Sequence, residues 1–114
     1  MFDAAEALAG GLVSRVVPPG ELMPAAMTLA REIADNTSAV AVALSRQMLW
    51  RMAGADHPME AHKVDSRGIW AMGASPDVAE GVAAFKAKRA ARFTMKPSSD
   101  MPAFYPWWKE RHFE

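Results

Sequence analysis

The chain has no cysteine among its 114 residues, which excludes disulfides and thiol chemistry. No apolar run approaches the roughly 18 residues that a membrane-spanning helix needs. The start, Met1-Phe-Asp-Ala-Ala-Glu6, has no basic stretch ahead of a hydrophobic one, so no secretory leader is expected. Net charge is zero, which argues against a nucleic-acid partner, since such domains are usually strongly basic. Glycine-rich phosphate loops are missing, as is a G-x-S-x-G elbow. Serine, histidine and aspartate are present without the spacing of a triad, and no carboxylate pair stands out for acid–base work. These absences leave a soluble, cytoplasmic protein with no catalytic residue of its own.

What is present is a hydrophobic content of 51%, enough for one domain with a core. The pattern reads as mainly α: five helices in an orthogonal bundle, one short strand segment and an extended aromatic tail. Phe2 to Leu8 is a short helix ended by Gly10 and Gly11. Leu12 to Val17 is β-branched and apolar, stops at Pro18-Pro19, and reads as a lone strand. Its backbone would need a partner in another chain or in further sequence. Glu21 to Asp35 is helical, with Leu22, Ala26, Leu29, Ala30 and Ile33 on one stripe. A central helix over 39–53 follows Asn36-Thr37-Ser38, and a fourth covers 58–72, from Pro58 through Val64, Ile69 and Met72.

The fifth helix is expected over 75–93. Ser75 suits the cap, Pro76 the first helical position, and Asp77 the positive end of the dipole. At about 100° per residue, Val78, Val82, Phe85, Lys88, Arg89 and Arg92 share one sector. One face therefore starts apolar, to dock on the bundle, and ends basic. Charge follows the same division: residues 1–80 carry a net −4 and residues 81–114 a net +4. The cations either complement the negative end of the helix dipole or hold phosphates; the residues leave both readings open. An adenine nucleotide would use both the cations and a nearby aromatic surface. Beyond Thr94 the chain turns polar, then places Phe104, Tyr105, Trp107, Trp108 and Phe113 among prolines. Such a tail should lie against its own or a neighbouring subunit.

His57-Pro-Met-Glu60-Ala-His62, with Asp65 beyond it, brings zinc-type ligands close together. The spacing argues against a metal. Residues five apart on a helix diverge by about 140°, and Pro58 places His57 outside the helix as a cap.

Glu80-Gly-Val-Ala-Ala-Phe-Lys-Ala-Lys-Arg-Ala-Ala-Arg-Phe93 resembles the C-terminal signature of the enoyl-CoA hydratase/isomerase (crotonase) superfamily, E-G-x-x-A-F-x-x-K-R-x-x-x-F. Phe2-Asp-Ala-Ala-Glu-Ala7, Gly11-Leu-Val13 and Val16-Val-Pro18 are similar to the segment leading out of that family's spiral core. The resemblance covers residues 2–93 and implies a C-terminal portion whose catalytic core lies elsewhere. It implies a short exit segment over 1–18, a helical oligomerisation and CoA-covering domain over 19–93, and a tail over 94–114.

The same resemblance implies that Lys88 contacts the phosphates of an acyl-CoA, with Lys86 or Arg89 assisting and Phe85 nearby. Gly73 stands where many members carry an aromatic, so Trp70 is the substitute for adenine stacking. It further implies a thioester substrate and no separate cofactor. The complete enzyme would form a homo-oligomer, a trimer or a dimer of trimers, hydrating a 2-enoyl-CoA or moving its double bond. The competing expectation is a catalytically inactive helical module for assembly or interaction.

Overall fold

The computed structural model describes residues 1–110 and 112; Phe113, one of the five tail aromatics, lies outside them. The described residues are mainly α-helical, with five helices: α1 (Ala4–Ala9), α2 (Leu22–Asn36), α3 (Ala39–Met52), α4 (Pro58–Gly73) and α5 (Pro76–Ala87). They divide into two compact units, residues 1–35 and 36–114.

In the first unit, α1 starts with a reciprocal capping box. The Glu6 amide donates to the Asp3 carboxylate at 2.9 Å, and the Asp3 amide to the Glu6 carboxylate at 3.0 Å. The helix ends where Gly11 takes a φ of 73°, a conformation that costs glycine little. Leu12 to Val17 carries no strand pairing, and the amides of Leu12 and Val13 both turn back to the Ala7 carbonyl. The residue pattern is right for a strand, but a ladder needs a second edge and the described residues provide none.

A 3-10 turn over Pro19–Glu21 then leads into α2. Pro24 sits within the first turn of α2, where its missing N–H removes only a donor that has no intrahelical partner. The expected stripe of α2 is not buried: Leu22, Leu29 and Ile33 are 60%, 57% and 48% exposed. Amphipathic spacing specifies a face that seeks a cover, but does not say what covers it.

The second unit has its core where α3 and α4 meet. Val40 and Leu44 of α3 and Met72 of α4 are buried there. Met95, Met101, Phe104, Tyr105 and Trp107 pack onto this cluster, so the aromatic tail lies on its own chain. The rings meet edge-on: Tyr105 with Trp108 at 5.1 Å, and Trp107 with Trp108 at 4.9 Å. The Arg51 guanidinium lies 4.3 Å over Trp108, a geometry that favours a cation on the ring's electron-rich face.

Caps follow the sequence closely. Ser38, His57 and Ser75 each accept an amide from the first turn that follows, and Pro58 and Pro76 open their helices. One correction concerns side chains further along: Val78, Val82 and Phe85 of α5, expected to dock on the bundle, are 38%, 49% and 85% exposed. α5 is instead buried through Asp77 and Ala84. Small residues on that side allow close approach, and Phe93 lies over Gly81. The apolar stripe was the more hydrophobic sector, yet the chain packs α5 through the sector that can hydrogen-bond the segment returning along it.

Candidate functional site

The region of interest is the corner where α5 ends. The helix stops at Ala87, six residues before Phe93, because Lys88 adopts a left-handed conformation with φ 50° and ψ 44°. The Lys88 amide donates to the Phe85 carbonyl at 3.2 Å and the Arg89 amide to Ala84 at 3.1 Å. This paired closure is the Schellman arrangement, which normally places glycine where Lys88 stands. An L-residue there costs about 1–2 kcal/mol. Something must hold the corner in place.

Two carboxylates from the start of α5 do so. Glu80 grips Arg89 with both oxygens, at 2.6 and 2.9 Å, and accepts the Arg92 amide at 2.7 Å. Arg89 also donates to the Ala90 carbonyl at 3.0 Å. One turn earlier, Asp77 Oδ1 accepts the amides of Thr94 and Met95 at 2.9 and 3.2 Å. Residues three apart share a helix face, so Asp77 and Glu80 together fasten residues 89–95 back along α5.

The electrostatics agree with this fastening. The Arg89 guanidinium, followed by the Arg92 amide, holds the Glu80 carboxyl down to about 2. The same pairing pushes Arg89 upward. Asp77 is 1% exposed. Burial alone would raise its pKa, but the Ser38 hydroxyl and the Thr94 and Met95 amides outweigh burial and keep it below the ordinary value. Its Oδ2 is buried with no hydrogen-bond partner among the described residues. Both carboxylates are held ionised. Neither is suited to donate a proton near neutral pH.

The residues expected at the site are distributed as follows. Phe85, Lys86 and Lys88 are exposed at the corner, and the described residues show no ion pair for either lysine. Arg89 is adjacent, with its fork occupied by Glu80, and lines an open cleft of about 660 Å³ with Glu80, Ala90, Arg92 and Thr94. Trp70 is 85% exposed on α4. It lines a different cleft of about 610 Å³ with Ser66, Arg67, Ala71 and the tail residues Pro102, Ala103 and Phe104. The two clefts share no lining residue.

Asp77 was expected only to complement the helix dipole, and no pattern in the sequence pairs Glu80 with Arg89, so the fastening was missed. Glu80 and Arg89 are nine positions apart, on opposite sides of any continuous helix. Their pairing becomes visible only once the helix is known to stop between them.

Comparison with known proteins gives this corner a context. Residues 1–96 match the family model described as Enoyl-CoA hydratase/isomerase. The chain belongs to the enoyl-CoA hydratase/isomerase family. It is 36% identical over 94 residues to the enoyl-CoA hydratase ACTT3 of Alternaria alternata, covering 82% of this chain and 31% of that protein. It is 38% identical over 97 residues to a probable enoyl-CoA hydratase of Rhizobium meliloti, covering 82% of this chain and 35% of that one. A crystal structure of a probable enoyl-CoA hydratase/isomerase from Mycobacterium abscessus superposes with a TM-score of 0.75 at 31% identity, over 83% of this chain and 37% of that one. The chain thus spans about a third of the length of the curated relatives it matches. The matched span, residues 1–96, includes Glu80, Lys88, Arg89 and Phe93.

Proposed function

We propose that this chain is the helical, CoA-holding part of an enzyme acting on acyl-CoA thioesters, by hydrating a 2-enoyl-CoA or by moving its double bond. Lys88, with Lys86 beside it, makes the charge-assisted contacts to the CoA phosphates, while Arg89 stays with Glu80. Trp70 offers a ring face for the adenine. The exposed apolar faces of α2 and α5 serve assembly into a homo-oligomer. The observation that carries this reading is the strained Lys88, which has no ion pair among the described residues: a cation occupies a position where glycine would be easier, in a family named for enoyl-CoA.

The chemistry itself requires backbone donors for a thioester enolate and carboxylates that move protons. The two carboxylates at this corner are engaged in structure. That observation favours the second reading, in which the chain alone is an inactive assembly module. The two are separated by titrating CoA and assaying crotonyl-CoA hydration with the 114-residue chain. The first reading expects CoA binding that Lys88→Ala weakens, without turnover by the chain alone. Binding indifferent to Lys88 would leave the module reading standing, and hydration by this chain would overturn both.

A further inference from the structure

We propose that Glu80 is a positioning residue for Lys88: by gripping Arg89 and the Arg92 amide, it sets the left-handed corner that presents the lysine ammonium. The inference rests on the reading of Lys88 as a phosphate contact, and adds to it the device that makes the contact available.

Three observations carry it. Lys88 holds a backbone conformation that a lysine does not adopt by preference, so its neighbours must enforce it. The residue immediately after it is the one Glu80 grips bidentately, at 2.6 and 2.9 Å. The amide three positions further on is bound by the same carboxylate at 2.7 Å. Asp77 then secures Thr94 and Met95, so the chain leaving the corner cannot swing away from α5. A bidentate fork fixes orientation as well as distance.

The placement is otherwise unfavourable. A carboxylate next to a site for phosphates repels the ligand, so on charge alone its removal should tighten binding. The positioning role requires the opposite sign.

The test uses the 114-residue chain as wild type, Glu80→Gln, Lys88→Ala and the double variant, titrated with CoA at moderate salt. If Glu80→Gln leaves only about a third of the molecules with the corner formed, apparent affinity falls about threefold. The double variant should bind no more weakly than Lys88→Ala, since Glu80 acts through Lys88. Equal or tighter binding by Glu80→Gln, or losses that multiply in the double variant, would overturn the proposal. If Lys88→Ala binds CoA as wild type does, the phosphate-contact reading fails instead.

Amide hydrogen exchange then judges the corner without ligand. Glu80→Gln should speed exchange of the Lys88 and Arg92 amides by about tenfold, with the His57-capped Met59 amide unchanged. Unchanged protection at Lys88 would sink the proposal on its own. Arg89→Gln breaks the same ion pair while leaving Glu80 on the Arg92 amide, and provides a milder variant if Glu80→Gln folds poorly. It should also accelerate the Lys88 amide.

Discussion

Replacing Lys88 by glycine should make the protein more stable while weakening its hold on CoA. The backbone there has φ 50° and ψ 44°. An L-residue in that region carries about 1–2 kcal/mol of strain that glycine avoids. Glycine loses more conformational freedom on folding, which returns about 0.5–1 kcal/mol of that gain. A net stabilisation of about 0.5–1 kcal/mol remains, or a Tm rise of about 2–4 °C for a chain of this size. Lys88→Ala keeps the strain and should leave stability close to wild type.

Both substitutions remove the ammonium, so both should cost CoA binding about 1–3 kcal/mol if a charge-assisted contact is lost. Urea denaturation followed by circular dichroism, alongside CoA titration, separates backbone from side chain at one position. Should Lys88→Gly prove less stable than Lys88→Ala, the left-handed corner is not what terminates α5, and the strain argument collapses. Should both variants bind CoA as wild type does, the lysine is only a helix end.

Three other outcomes are expected. Asp77→Ala should destabilise by about 2–4 kcal/mol, because the buried carboxylate accepts two amides that would lose their partner; a change below about 0.5 kcal/mol by denaturant titration would contradict its place in the fold. Glu80 has a folded pKa of about 2 against an ordinary 4.5. Its stabilising contribution is therefore complete above pH 4.5 and is lost as pH falls toward 2. Glu80→Gln should flatten the stability profile across that window, with Asp77 leaving a residual slope. Gly81→Ala should be tolerated and add up to about 1 kcal/mol of helix propensity. The added methyl would stand 3.6 Å from Phe93 Cε1, an ordinary contact; a loss of stability would show that α5 and Phe93 sit closer than this.

Helix number, helix starts and the packing of the tail against protein surface were readable from residues; that the surface belongs to its own chain was not. Each rests on local chemistry. Ser38, His57 and Ser75 cap because of their side chains, Pro58 and Pro76 start helices because of their fixed φ, and large rings leave water wherever a surface is near. The family was legible too, from the run Glu80 to Phe93 and the segment around Phe2 to Pro18.

What periodicity could not provide was the packed face of α5 or its true end. Hydrophobicity pointed to Val78, Val82 and Phe85, whereas the fold selects Asp77 and Ala84 because the returning chain brings amides that need acceptors. Likewise, nothing within six residues of Lys88 announces a helix stop. The stop is enforced from Glu80, by a pairing that exists only after the helix has ended. Lys88 was therefore singled out in the sequence, but the corner that holds it was not.

The tail that seals the α3–α4 core has a consequence for the order of events in the cell. Val40, Leu44 and Met72 leave the ribosome well before Met95, Met101, Phe104 and Trp107, which complete their enclosure. During synthesis the second unit therefore passes through an interval with its helices made and its core uncapped. Apolar surface uncovered in this way is what chaperones hold and what neighbouring nascent chains adhere to. The tail is in this sense a closing stitch, and the seam stays open until it has emerged and docked.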